Sequence, residues 1–447
     1  MYKPLKVTEL PQQLRKLHMH KCHLLTSWRV EPGPLQNAAW LTQLALDKCY
    51  ASASSLSCLV TMTALQSLSL TGVHVFTGEA QYNISSVLPN LQQLTHLAVG
   101  SHSSAGTQPK MFAGLQQPAP TRGNITLGDN FESLSRLTAL QELKLGLPIK
   151  ATALQGISSL LQLSCLLLEG TQIMELSSSS VPGLTALTAL QRLQLRRAGV
   201  LQPDILYDLR SLRYIELEET QIQGDAQGTA GLLGALTQLQ QLSYLFWSQR
   251  AGHSWAELPE AYAALTASST LQELHVRVIG KIALSLTTPC LFQHMFTSRQ
   301  HHDTVRVLCL GDGQIHQPSS LQHIAQACPA LEELYIDFQR PLQDAAQQLE
   351  ALKALPRLSK LAFGISWSSK AAMAALVQLT QLEELSVALL HPAPDSELSL
   401  LAGLTQLARL CWSSTLATHP DWAASCLLAL SLWCLRVCCT ATCHIPF

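Results

Sequence analysis

Histidine and cysteine supply most of the chemistry this sequence offers. The stretch HMHKCH places His18 and His20 two residues apart. On a strand both imidazoles then project from one face, and a neighbouring carboxylate would complete a nitrogen–oxygen set able to hold a divalent metal. A second group, Cys290, His294, His301 and His302, has a C-x3-H-x6-H-H spacing. That spacing fits no zinc rule, so an exposed loop is the plainer reading. Other catalytic signatures are missing: no GxxxxGK phosphate loop, no GxGxxG, no HExxH, no GxSxG and no kinase HRD/DFG set. No catalytic residue, no enzymatic activity and no cofactor are expected.

The elements that position these residues come from a repeat. Of 447 residues, 87 are leucine, and they fall into a unit of the form Leu-x-x-Leu-x-Leu with conservative swaps. Fifteen units start at Leu14, Leu41, Leu65, Leu94, Leu140, Leu163, Leu190, Leu212, Leu242, Leu271, Val305, Leu331, Leu358, Leu382 and Leu407. Apart from one interval of 46 residues, the spacing averages about 27. The tail of each unit alternates in steps of two, as in Leu193-Gln194-Leu195-Arg196, which predicts a short half-buried strand. Apolar residues three or four apart precede it, such as Leu206, Leu209 and Leu212, and predict a helical turn. One unit cannot bury both faces, whereas stacked units share a core.

This pattern resembles the leucine-rich repeat (LRR) superfamily. The resemblance implies an α/β fold: a curved solenoid or horseshoe, with a parallel sheet on the concave face and helices or helical turns on the convex face. Cys22, Cys49, Thr171 and Thr220 stand where many such repeats carry asparagine. The LTALQ, LTQLEEL and LEGTQI phrasing resembles intracellular LRR proteins of plants and green algae. The expected organisation is a solenoid of about 15 repeats over 1–415, then a hydrophobic, Cys-rich cap or tail over 416–447. Insertions are expected near 101–130 and 287–303. The first reads as an exposed loop, with a decayed strand around Ile125 and Leu127 as the alternative.

In the repeat register His20 lies beside Asp47, so His18, His20 and Asp47 are the candidate metal ligands. A polar strand at the start of the solenoid is the plainer reading, and no metal is expected there. The same register lists the residues pointing away from the core. One patch gathers three aromatic rings, Tyr214, Tyr244 and Phe246, in a chain only 6% aromatic. Arg192, Arg196, Glu216, Glu218, Glu273, His275 and Arg277 flank them. Aromatics and arginine are enriched at binding hot spots, so these ten residues form the expected partner-binding patch. Replacing Tyr214 and Phe246 by alanine is expected to leave folding nearly intact while weakening binding. Glu333–Lys360–Glu384–Arg409 and Glu169–Arg196–Glu218 alternate in charge and predict lateral ion-pair ladders.

Composition narrows the partner. Twenty-nine basic residues against thirty acidic ones give net charge −1, which supplies no footprint for phosphates, so nucleic acid is not an expected partner. The apolar run 422–435 has 14 residues, short of the roughly 20 that cross a bilayer. With no secretory signal read at the N-terminus, the thiols are expected to be reduced and the location cytoplasmic. The expected function is a non-enzymatic intracellular scaffold or adaptor that binds a protein partner on the concave face. The family resemblance adds a cytoskeletal or ciliary-axoneme location. The alternative is the substrate-recognition or sensing part of a larger protein, either an F-box-type ubiquitin-ligase receptor or a plant-type defence protein.

Overall fold

A computed structural model describes residues 11–414, apart from 22, 25–34, 36–37, 77–80, 101–121, 128–131, 148–150, 171–174, 177–180, 198–199, 203, 219–220, 223–225, 251–258, 280–294, 297–301, 312–319, 337–343, 366–369 and 390–398. Fifteen strands form one sheet whose spatial order follows the chain. They are β1 Lys16–His20, β2 Gln43–Asp47, β3 Ser67–Thr71, β4 His96–Gly100 and β5 Glu142–Gly146. Next come β6 Cys165–Glu169, β7 Arg192–Arg196, β8 Tyr214–Glu218, β9 Tyr244–Arg250 and β10 Glu273–Ile279. The last five are β11 Val307–Leu310, β12 Glu333–Ile336, β13 Lys360–Ile365, β14 Glu384–Leu389 and β15 Arg409–Ser414. Each opens two residues after one of the repeat starts, and every neighbouring pair is parallel.

The register aligns one aliphatic residue per strand into an unbroken line. It runs Leu17, Leu44, Leu68, Leu97, Leu143, Leu166, Leu193, Ile215, Leu245, Leu274, Leu308, Leu334, Leu361, Leu385, Leu410. A one-residue slip would turn a whole strand's leucines to solvent, so this line locks the register. Outside the core lie short helices and 3-10 turns, such as Ala151–Ser159 and the helix Ala226–Leu236, the longest among the described residues. Strands stack about 4.8 Å apart while helical segments need about 8–10 Å, so the stack bends toward the sheet, which becomes the concave face.

The turn leaving each strand explains part of the spacing. Lys21, Lys48, Gly72, Gly170 and Arg197 all follow directly after a strand, and all have φ between 49° and 63°. In this left-handed conformation each N–H still reaches the carbonyl of the next repeat, as from Lys48 to Thr71 at 2.8 Å and from Gly170 to Arg196 at 2.9 Å. A side chain at such a position costs about 1–2 kcal/mol. A Cβ at Gly170 would meet nothing within 4 Å, so backbone strain is the only cost of adding one. Gly170→Ala is therefore expected to destabilise by about 1 kcal/mol, and Lys48→Gly to stabilise by a smaller amount. Urea unfolding of the two variants checks the opposite signs.

Cys49 follows β2 by two residues, at the position where the resemblance implied asparagine. It is buried, and its thiol donates to the carbonyls of Met19 at 3.3 Å and Asp47 at 3.4 Å. Cys22, Thr171 and Thr220 lie outside the described residues.

The long interval does not interrupt the sheet, because β4 and β5 pair directly through His96 and Glu142. Within 101–130 the strand alternative holds. Arg122–Thr126 pairs antiparallel with His74–Phe76 and parallel with Gln81–Asn83. With His23–Leu24 and Tyr50–Ser52 these strands form a five-stranded second sheet, and Ile125 and Leu127 are buried in the common core. Of the residues described in 287–303, Met295 and Phe296 join the core, where the Thr266 hydroxyl donates to the Met295 carbonyl at 2.6 Å, and Asp303 is exposed. His302 sits edge-on to Phe296 at 5.7 Å and is buried too, so this histidine is not on an exposed loop. Cys290, His294 and His301 lie outside the described residues, as does 416–447. Among the described residues no helix is long and apolar enough to cross a membrane.

Candidate binding face on the parallel sheet

Strands β7 to β10 bring the expected patch together. Arg192, Tyr214, Tyr244 and Glu273 are successive register partners, as are Gln194, Glu216, Phe246 and His275. The Tyr214 and Tyr244 rings stack with centroids 3.9 Å apart and planes 2° from parallel. The Arg192 guanidinium lies 4.9 Å over the Tyr214 ring, a cation–π arrangement. His275 tilts against Tyr244 at 5.1 Å and Phe246 at 6.0 Å. The parallel ladder holds the four rings in two adjacent rows, Phe246 with His275 and, beside them, Tyr214 with Tyr244.

A polar network locks these rows from one side. Glu216 accepts from Gln194 Nε2 at 2.6 Å, from Arg196 Nε at 2.7 Å and from the Tyr214 hydroxyl at 3.1 Å. Burial and the Glu216 carboxylate push the Tyr214 phenol up to about 12. Burial and its contact with Tyr214 push the Tyr244 phenol up as well. Both rings stay neutral across the physiological range.

Two expected surface residues are not on the surface: Phe246 is 8% exposed and Glu216 5%. The inward curve crowds the middle of the face, so an outward-pointing side chain can still be covered by its lateral neighbours. The charge ladder also differs from the expectation. Arg196 bridges to Glu218 at 3.4 Å but takes its shorter contact from Glu216, while Glu169 pairs with Arg197 at 3.3 Å. In the other ladder Glu333 pairs with Lys360 at 2.6 Å and Glu384 with Arg409 at 3.2 Å. Of Arg277 only the backbone, paired with Ser248, is described.

Gln194, Cys309 and Tyr335 stand in the outward-facing row read from the repeat but are not among the ten residues of the expected patch. Gln194 is neither aromatic nor charged, yet it is the third ligand of the Glu216 carboxylate. Cys309 and Tyr335 continue the His275 row by register, a signal the repeat alignment already contained. Burial works against a charged His275, but Cys309 and then Glu273, whose carboxylate lies 3.7 Å from Nε2, outweigh it and push the imidazole up to about 10. The folded value lies above the ordinary 6.5, so this stabilisation is complete below pH 6.5 and is lost as pH rises through about 10. Unfolding midpoints of wild type and His275→Asn, measured from about pH 6 to about pH 10.5, are expected to converge toward the alkaline end. A constant difference would overturn the assignment.

At the other end of the sheet His20 Nδ1 lies 2.6 Å from Asp47 Oδ2, and the Thr71 hydroxyl donates to Asp47 Oδ1 at 3.1 Å. Burial favours the neutral acid, but these two hydrogen bonds prevail and hold the Asp47 carboxyl below its usual range. His18 is exposed and faces Ala45 in register. Among the described residues no three His, Cys, Asp or Glu side chains come close enough to hold a metal.

The fifteen parallel strands, one per Leu-x-x-Leu-x-Leu unit with leucine aligned on leucine, decide the fold. The fold is a leucine-rich-repeat solenoid. No protein-family model matches the chain, and neither does any curated protein. Solved structures similar to it include an internalin from Listeria monocytogenes, 18% identical, with a TM-score of 0.46, covering 89% of this chain and 87% of that one. An LRR protein of Leptospira interrogans is 13% identical, with a TM-score of 0.38 and coverage of 89% and 90%. A TDR receptor is 16% identical with a TM-score of 0.42; the match covers 90% of this LRR chain and 56% of the receptor's.

Proposed function

We propose that this LRR solenoid is a non-enzymatic interaction scaffold that binds a protein partner across β7 to β10 of its concave sheet. The stacked Tyr214–Tyr244 pair beneath Arg192 carries the reading. Aromatic and arginine side chains dominate interface energetics, and here a buried carboxylate network fixes them before any partner arrives. The groups around the stack are of mixed sign and largely neutralise one another, which suits a specific protein surface better than a polyanion. The proposed setting is a cytoplasmic adaptor, where buried free cysteines such as Cys49 and Cys328 would stay reduced.

The test uses the exposed rim, since Phe246 and Glu216 are buried. Arg192 is exposed and the Glu273 side chain is 46% exposed. Arg192→Ala is expected to leave the unfolding transition within about 0.5 kcal/mol of wild type, the scale of an exposed cation–π contact. In affinity purification with mass spectrometry, it is expected to lose a partner that wild type retains. A partner retained equally by both would remove the patch from the interface. Ubiquitin-ligase subunits among the retained proteins would favour the substrate-receptor reading instead.

A further inference from the structure

Among the described cysteines, Cys309 on β11 is set apart by its surroundings. Cys49, Cys165 and Cys328 are buried, and burial pushes the Cys165 and Cys328 thiols up. Cys58 is partly buried, and its thiol is pushed up for the same reason. Cys411 is exposed. Cys309 is partly exposed and has His275 of β10 as its register partner. The two side chains stand on one face of neighbouring parallel strands and hydrogen-bond to each other.

The imidazole is a cation in this setting. Burial opposes the charge, but Cys309 and then Glu273 outweigh it, so His275 stays protonated at neutral pH. Glu273 Oε2 lies 3.7 Å from the buried Nε2, beyond hydrogen-bond distance, so the carboxylate does not fully satisfy it. The other groups around the pair are neutral or already matched. Tyr335 on β12 is the other register partner of Cys309, and its hydroxyl donates to Glu333 at 2.8 Å. Glu333 is bridged to Lys360, and Glu384 beyond it to Arg409. Tyr244 on β9 tilts against the imidazole at 5.1 Å as a neutral phenol, its proton held by burial. The interaction between two titrating neighbours is mutual: a thiolate that holds an imidazolium is held by it. A partly exposed sulfur beside such a cation is the kind that reacts, because the thiolate is the nucleophile.

We propose that Cys309 is an oxidation site for hydroperoxides, reacting as the thiolate of an ion pair with His275. The sulfur attacks one peroxide oxygen: an S–O bond forms, the O–O bond breaks, and the leaving oxygen takes the imidazolium proton. With hydrogen peroxide, sulfur is oxidised by two electrons to the sulfenic acid and the peroxide is reduced to water. His275 is left neutral, so both charges of the pair leave the concave face.

Two reagents on the full-length protein test this, with the Cys309 and Cys411 peptides compared by mass spectrometry. Iodoacetamide reads thiolate character, and hydrogen peroxide with dimedone trapping reads the sulfenic acid. An ordinary thiol is only a few per cent ionised at about pH 7, so Cys309 is expected to react with iodoacetamide about tenfold faster than the more exposed Cys411. Near about pH 9.5, where ordinary thiols are largely ionised, the ratio is expected to fall to about one or below. His275→Asn is expected to abolish the advantage at about pH 7 while changing the rate near pH 9.5 by less than about twofold, a pattern that lost packing alone does not produce. The dimedone adduct is expected at Cys309 in wild type and to drop about tenfold in His275→Asn. If that variant does not fold, the pH dependence of the wild-type ratio decides. A Cys309 rate no higher than that of Cys411 at neutral pH, or a ratio that does not change with pH, would overturn the ion pair. Fast alkylation without a dimedone adduct at Cys309 would overturn the oxidation site.

Discussion

Leu193→Ala is expected to destabilise the solenoid by about 2–5 kcal/mol. Leu193 is buried between its register partners Leu166 and Ile215, in the line of aliphatic side chains that runs the length of the sheet. Truncation there removes three carbons from a site whose neighbours are held by strand pairing and cannot collapse inward, so most of the cavity persists. In a repeat array each unit contacts only the next, and a cavity in β7 weakens the two interfaces that flank it rather than the whole molecule evenly. Exchange protection is therefore expected to fall first across β6 to β8, with the distant ends less affected. Arg192, one residue away on the opposite face, is the control, because its replacement by alanine should change stability by no more than about 0.5 kcal/mol. A near-neutral Leu193→Ala would mean that the register is wrong by one residue.

The contrast between those two neighbours shows which part of the molecule was legible in the residues. Period-two alternation tells one face of a strand from the other, and fifteen repeats of it, each anchored by a leucine at a fixed offset, left the strand starts and the lateral partners no freedom. The Arg192–Tyr214–Tyr244–Glu273 row follows from that alone. Alternation does not report depth. Phe246 and Glu216 point to the concave side as expected, yet both are covered, because depth on a curved sheet depends on how large the lateral neighbours are and how they lean. Nor does register choose among competing ion pairs. Arg196 has Glu169 and Glu218 as direct neighbours but makes its shorter contact with Glu216, since that carboxylate is desolvated and already ordered by Gln194 and Tyr214. The turns after the strands were hidden for another reason: glycine announces a left-handed residue at Gly72 and Gly170, whereas Lys21, Lys48 and Arg197 adopt the same conformation under the demand of the stack. Arg122–Thr126 pairs with strands outside the main sheet, so the repeat pattern could suggest its existence but not its partners.

Phe246→Ala is expected to lower stability by about 3 kcal/mol, and this outcome separates the covered part of the patch from the part free to touch a partner. The ring is 8% exposed and lies beside His275, with Glu216 as its register partner on β8. Removing it strips one wall from the His275 imidazole and admits water next to the carboxylate that orders Gln194, Arg196 and Tyr214. The loss should thus exceed the cavity term alone and reach the Tyr214–Tyr244 stack through its hydrogen-bonded support. The double replacement of Tyr214 and Phe246, expected to be mild if both rings were exposed, becomes a folding variant rather than a surface variant. Urea unfolding read beside partner capture distinguishes the roles. Weakened capture that tracks the loss of folded protein makes Phe246 the floor on which the stack rests. Abolished capture with stability within about 0.5 kcal/mol of wild type would instead make the ring a contact residue, and would require the face to open around it when the partner binds.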